Sequence, residues 1–213
     1  MVINHHNPID RLFVTGTDTG VGKTLVAGML AYLLEAHYWK PIQAGTAPTT
    51  DSWTVADWIG KERVFPERYR LAHPMSPNQA ARLEGIDLHL DQIHAPETDE
   101  KLVVEGAGGL MVPINDKDMI LDLIQQLGYP VVLVTLTRLG TLNHTLMSIE
   151  MLRARKIPIL GVIFNGETHD PNMHDILHFG NVHLIGYLPQ LDYVDPDNFH
   201  HIARHWRLPE TCT

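Results

Sequence analysis

The chain has one cysteine, Cys212, close to its end. A single thiol cannot build a disulfide framework within the chain, and the scarcity fits a reducing compartment. No apolar run approaches the roughly 20 residues needed to span a bilayer. The opening residues, Met1-Val-Ile-Asn-His-His6, have neither the basic segment nor the apolar core of a secretion signal. The expectation is a cytoplasmic protein, neither exported nor membrane-anchored. Basic clusters are also missing: 16 Lys and Arg against 25 Asp and Glu give a formal net charge of −9. A nucleic-acid surface normally shows a basic stripe, so small molecules and like subunits are the expected partners. There is no internal repeat and no low-complexity segment. A length of 213 residues suits one α/β domain, residues 1–213, with no second domain expected.

The strongest signal is a loop, Gly16-Thr-Asp-Thr-Gly-Val-Gly22-Lys23-Thr24, which follows the apolar run Leu12-Phe13-Val14 and precedes a helix-patterned stretch. Glycines let successive backbone N–H groups converge on phosphate oxygens, and the helix N-terminus adds its dipole. Lys23 supplies a full charge, and the Thr24 hydroxyl is placed to ligate Mg²⁺. The site is expected to hold a nucleoside triphosphate. Thr17 sits where the usual motif has its first glycine, because five residues separate Gly16 from Gly22.

Beyond the loop, Val26, Met29, Leu30, Leu33 and Leu34 recur with helical spacing, which predicts a helix to about Ala36. Tyr38-Trp39-Lys40-Pro41-Ile42 reads as one strand, followed by a turn-rich stretch to Asp51. In parallel sheets ligands gather at the carboxyl ends of strands, so Lys40 and Asp51 fall near the phosphate loop. The stretch from Trp53 to His94 reads as a long, partly helical crossover, with helical pieces near Trp53–Gly60 and Asn78–Leu83. In it Ser76 suits a helix cap and Pro77 the first helical position.

Leu102-Val-Val-Glu105-Gly-Ala-Gly-Gly109 reads as a strand that ends in a carboxylate and runs into a glycine turn. An acid so placed can reach Mg²⁺ directly or through water. Asp118 is expected to cap a helix over Ile120, Leu121, Ile124 and Leu127, with Gly128 as its stop. Pro130–Val134 and Ile159–Phe164 are continuous apolar runs, as buried parallel strands require. Between them a helix opens near Asn143, its free N–H groups a candidate anion site. Asn165 follows the second strand with a donor and an acceptor that suit a base edge. A last strand over Val182–Pro189 and a last helix over Pro196–Trp206 complete a β–α alternation. That alternation predicts a doubly wound, mostly parallel sheet with helices on both faces. His174 with His178, and His201 with His205, stand at i, i+4, but no third ligand is placed and no H-E-x-x-H occurs. They read as surface histidines.

Five segments occur in order: the loop, Lys40-Pro-Ile-Gln-Ala-Gly45, Val104-Glu-Gly-Ala-Gly-Gly109, Leu139-Gly-Thr-Leu-Asn-His-Thr145 and Phe164-Asn-Gly166. Together they resemble the dethiobiotin synthetase family of P-loop ligases, over nearly the whole chain. The resemblance implies ureido-ring formation from 7,8-diaminononanoate, CO₂ and ATP, with release of ADP and phosphate. It implies Lys23 and Lys40 as catalytic residues, and Mg²⁺ held by Thr24, Asp51 and Glu105. ATP contacts are implied for Thr17, Asp18, Thr19, Gly20, Val21, Gly22, Lys23, Thr24, Asn165, Leu188 and Pro189. Substrate contacts are implied for Lys40, Ala44, Gly45, Gly140, Thr141 and Asn143, the last three across the interface of a homodimer. The family often has Ser where Ala44 stands and His where Asn78 stands.

Two other readings compete. One is a related P-loop ligase that amidates or cyclises another acid. The other is a partitioning ATPase that acts as a nucleotide switch. Such switches carry an extra lysine early in the loop, and here Asp18 holds that place.

Overall fold

The computed structural model describes residues 10–167, 170–191 and 193–206; Cys212 and the first six residues lie outside them. The order is β1 (Arg11–Gly16), α1 (Lys23–Leu33), β2 (His37–Trp39), β3 (Ile42–Ala44), α2 (Asp51–Ile59), β4 (Val64–Phe65), β5 (Tyr69–Leu71) and α3 (Pro77–Glu84). It continues with β6 (Leu102–Gly109), α4 (Ile120–Leu127), β7 (Val131–Leu136), α5 (Thr141–Ala154), β8 (Ile159–Asn165), α6 (Asp170–Gly180), β9 (Leu184–Leu188) and α7 (Pro196–His205).

Seven strands form one sheet in the order β4-β2-β6-β1-β7-β8-β9, and every pairing in it is parallel. A parallel sheet needs helical crossovers and cover on both faces, which is why its strands read as unbroken apolar runs. Side chains alternate between the faces. Leu12 and Val14 join Val26, Met29, Leu30, Trp58 and Phe199 under α1, α2 and α7, with the rings of Trp58 and Phe199 stacked at 4.6 Å. Phe13 turns the other way, into a cluster with Val104, Ile120, Ile124 and Leu152 from α4 and α5. A third cluster around Phe164 and Ile176 seats α6 against β8. Among the described residues, no helix is long and apolar enough to cross a membrane.

The order of strands positions the site. β1 and β6 are neighbours near the middle of the sheet, with Val14 opposite Glu105, and β2 lies on the other side of β6. The carboxyl ends of three strands therefore open onto the same edge as the glycine loop.

Four local expectations are corrected. The single strand over Tyr38–Ile42 is two: β2 stops at Trp39, and after Lys40-Pro41 the chain enters β3, which pairs with β5 in a separate two-stranded sheet. Proline offers no N–H to a ladder, so the run breaks there. The glycines after Glu105 do not turn; β6 runs on to Gly109, past an irregularity, to pair with Gly16. A Cβ at Gly106 would lie 2.8 Å from the Phe13 ring, so that position requires glycine to stay in the ladder. Asp118 does not cap α4. It is bound to Asn115 in a tight turn, while Met119 holds the cap position and the Asp122 carboxylate accepts from its N–H. Ser76 precedes α3, with Pro77 in the first turn, but its hydroxyl donates to the Asn78 side chain and caps nothing. Gly128 does end α4, in the left-handed conformation.

Candidate active site

The loop between β1 and α1 is fixed by close approaches. A Cβ on Gly16 would lie 2.5 Å from the Val21 side chain, and one on Gly22, at φ 94°, would lie 2.2 Å from the Asn165 amide. Only glycine fits both places. The Asn165 side chain, at the end of β8, donates to the Val21 carbonyl at 3.0 Å and so braces the loop from two strands away. Thr17 behaves as an extension of β1: its N–H donates to Val134 O at 3.0 Å, and its hydroxyl meets that of Thr135. That commitment explains why no glycine is needed at residue 17.

Lys23 is the first residue of α1 and almost fully buried. Its ammonium folds back over the loop to the Asp18 carbonyl at 2.8 Å. Burial pushes its pKa down to about 8; the Glu105 carboxylate opposes that shift and the Lys40 charge adds to it.

Opposite the loop, Glu105 collects four groups. Its Oε1 accepts from Lys40 Nζ at 2.8 Å and from the Thr24 hydroxyl at 2.9 Å, and its Oε2 accepts from the Tyr38 hydroxyl at 2.6 Å. The fourth is Asp51, linked through Lys40, whose ammonium lies 2.6 Å from Asp51 Oδ2. Burial alone would lower the Lys40 pKa, but the two carboxylates outweigh it and hold the value above normal. Asp51 opens α2 behind the cap Thr50, whose hydroxyl accepts from Trp53 N. Its own N–H donates to the Gln43 side-chain oxygen, and the Gln43 amide group donates to Gly45 O. These residues floor a cleft of about 590 Å³, lined also by Thr19, Gly20, Gly22, Ala44 and the Pro74–Pro77 segment.

The structure thus brings Thr19, Gly20, Gly22, Lys23, Thr24, Lys40, Ala44, Asp51 and Glu105 to one cleft. Gly45 is joined to it through Gln43. Thr17, Asp18 and Val21 line the far side of the loop, in a small cavity shared with Gly140 and Thr141. The Thr141 hydroxyl is engaged with Leu136 O and the hydroxyls of Thr135 and Thr145. Asn143 is exposed and lines neither cavity. Leu188 is buried opposite Asn165, and Pro189 is exposed just beyond it. In a cleft of about 600 Å³ between α3 and the Asn115–Asp118 turn, the Asn115 amide is spent on Leu88 O and the Gln126 amide on Leu90 O and Ile93 O.

Sequence reasoning missed Tyr38 and Gln43. Tyr38 stands two residues before Lys40, the spacing that puts both on one face of an extended strand, and that alternation was the available signal. Gln43 stands within the segment Lys40–Gly45, but nothing in the sequence sets its side chain apart. Among the described residues, no three His, Cys, Asp or Glu side chains gather as a metal cluster, and the histidine pairs of α6 and α7 remain on the surface.

A glycine loop running from a central parallel strand into a helix, with lysine and threonine at the helix start, defines a P-loop nucleotide-binding protein. The family model described as an AAA domain matches residues 10–198. The fold is shared with a nucleotide-binding protein from Archaeoglobus fulgidus in complex with ADP, at TM-score 0.51 and 12% identity, over 92% of this chain and 85% of that one. It is shared too with a protein assigned to plasmid partition in Borrelia burgdorferi, bound to AMPPNP, at TM-score 0.54 and 11% identity, over 93% and 98% of the two chains. At such identity the likeness is one of fold alone. In sequence the chain is 45% identical over 203 residues to the ATP-dependent dethiobiotin synthetase BioD of Brucella ovis, covering 94% of this chain and 96% of that one. The chain belongs to the ATP-dependent dethiobiotin synthetase family, and with it to the ATP-dependent ligases of biotin synthesis. It is an enzyme, and the partition-switch reading falls away.

Proposed function

We propose that the enzyme makes dethiobiotin from 7,8-diaminononanoate, CO₂ and ATP. One amine takes up CO₂ as a carbamate. The carbamate oxygen attacks the γ-phosphorus as the bond to ADP breaks, and the second amine attacks the carbonyl carbon of the mixed anhydride, closing the ring as phosphate leaves. The observation that supports this reading is the convergence of two ammonium groups, Lys23 and Lys40, with two carboxylates, Asp51 and Glu105, on one cleft beside the glycine loop. A carbamate is a weak nucleophile facing a tetra-anionic partner, so the site must neutralise charge and align reactants more than supply a base.

In this reading the loop from Thr17 to Gly22, with the Thr19 hydroxyl, holds the phosphates. Lys23 exchanges the Asp18 carbonyl for the β- and γ-phosphates, and Lys40 leaves its carboxylates for the γ-phosphate and carbamate oxygens. Asn165 reads the adenine edge, with Leu188 and Pro189 beside it, and Ala44 and Gly45 face the diamine. Thr24, Asp51 and Glu105 form an all-oxygen donor set of the kind Mg²⁺ takes, and the carboxylate pair already draws in a cation, the Lys40 ammonium. When bound there, Mg²⁺ would offset negative charge on the phosphate oxygens. Gly140, Thr141 and Asn143 would take the diamine carboxylate from the other subunit of a homodimer. The large exposure of Leu139 and Met147 on the same segment supports that assembly. Residues 1–213 act as one cytoplasmic domain.

The test is incubation with ATP, Mg²⁺, bicarbonate and the diamine, followed by mass detection of the cyclic urea. The expected result is one ADP per dethiobiotin. ADP release with a different acid, and none with the diamine, would favour the related ligase.

A further inference from the structure

We propose that Tyr38 is a positioning residue of the active site, setting which oxygen of Glu105 faces the cleft. The inference rests on the reading of Glu105 as a metal-side carboxylate.

Tyr38 is completely buried, within the apolar cluster under α1 and α2. A phenol hydroxyl in such a place needs a partner, and any backbone carbonyl would satisfy it. Here the partner is the one buried carboxylate of the site, at 2.6 Å. The two oxygens of Glu105 have divided roles. Oε1 takes Lys40 and Thr24, the groups on the cleft side, and Oε2 takes Tyr38. Rotation about its Cγ–Cδ bond lets a glutamate carboxylate offer either oxygen or both. With Oε2 held from beneath, Glu105 presents Oε1.

Strand register makes the arrangement possible. β2 pairs with β6 so that Tyr38 lies opposite Val103 and Trp39 opposite Val104. Residues 103 and 105 share one face of β6, as 38 and 40 share one face of the extended chain. Tyr38 therefore reaches Glu105 diagonally while Lys40, one step beyond β2, meets it from the front. Burial, with the nearby Glu105 charge, holds the Tyr38 pKa well above normal, so the phenol keeps the proton it donates. Partners that orient a ligating carboxylate typically matter to metal affinity about as much as ten- to a hundredfold.

Mn²⁺, titrated by electron paramagnetic resonance into the ADP-bound protein, is the probe. Tyr38→Phe keeps the ring and removes only the hydroxyl; it is expected to weaken Mn²⁺ binding about tenfold. Glu105→Gln is expected to weaken it more, and Tyr38→Phe added to Glu105→Gln should cost nothing further, because the hydroxyl acts through that carboxylate. In turnover the Mg²⁺ half-saturation should rise in Tyr38→Phe while the KM of the diamine stays put. A Tyr38→Phe protein with wild-type Mn²⁺ affinity overturns the proposal, as does a penalty that persists in full in the Glu105→Gln background. So does a variant that loses only thermal stability. Failure to form dethiobiotin, with the Mn²⁺ pattern as expected, would overturn the substrate reading and leave Tyr38 in its role.

Discussion

Lys40 Nζ lies 2.8 Å from Glu105 Oε1, and both side chains are withdrawn from water, at 5% and 1% exposure. Removing one partner of a buried ion pair leaves a charge with nothing to replace its hydration, at a cost of about 3–5 kcal/mol. Tyr38 and Thr24 still donate to Glu105, which favours the low end of that range. Lys40→Met is therefore expected to lose about 3 kcal/mol of stability without Mg²⁺. Urea unfolding measures it, and a loss below about 1 kcal/mol would mean that the pair is effectively solvated.

Lys23, with a pKa near 8 in the nucleotide-free protein, is charged below that pH and neutral above it. A triphosphate needs the charged form and raises its pKa. Above pH 8 binding must take up a proton, so ATP affinity should fall by about tenfold per pH unit until the pKa of the complex is reached. Calorimetry in buffers of different ionisation enthalpy reads the proton directly, and Lys23→Arg should abolish the uptake. On stability the sign is opposite. Between about 8 and the ordinary value of 10.5 the unfolded chain binds the proton and the folded one does not, so this group's contribution rises with pH across that window.

Asp51 is held from two sides, by Lys40 at its carboxylate and by Gln43 at its N–H. Asp51→Asn keeps the shape and drops the charge. The Mg²⁺ concentration for half-maximal ADP release is expected to rise at least about tenfold, since a direct ligand should matter no less than the groups that orient one. An unchanged Mg²⁺ titration would remove Asp51 from the metal side.

Ala44 lines the cleft beside the glycine loop. A hydroxyl there could make a neutral hydrogen bond to the diamine or its carbamate, worth about 0.5–1.5 kcal/mol net. Ala44→Ser should therefore lower the diamine KM by up to about tenfold and leave the ATP KM within about twofold. If wild type were inactive on the diamine and Ala44→Ser created the activity, the natural substrate would be a different acid.

Where function lies in a local pattern, the sequence was enough. The run from β1 through the glycine loop into α1 announces itself, because phosphate chemistry and backbone geometry demand the same residues. The apolar runs of β7 and β8 likewise mark buried parallel strands. Long-range packing was hidden. That Gly106 stays in a strand depends on the Phe13 ring 93 positions earlier, and β3 finds its partner in β5, across a whole helix. Asp118 looked like a cap from its place before the helix, but the side chain of Asn115 engages it instead. Tyr38 stood only as part of the run Tyr38–Ile42, since it is the pairing of β2 with β6 that aims it at Glu105.

The two halves of the site are not equally anchored. Glu105 lies in β6 and Thr24 in α1, which follows β1, its partner near the middle of the seven-stranded sheet, whereas Lys40 follows β2, beside the two-residue edge strand β4, and Asp51 opens α2 beyond β3. Amide exchange in β1 and β6 should need the whole molecule to open, while the β2–β4 flank can fray alone. Such fraying would loosen Lys40 first, and because Tyr38 also lies in β2 it would release the hold on Glu105 Oε2 as well.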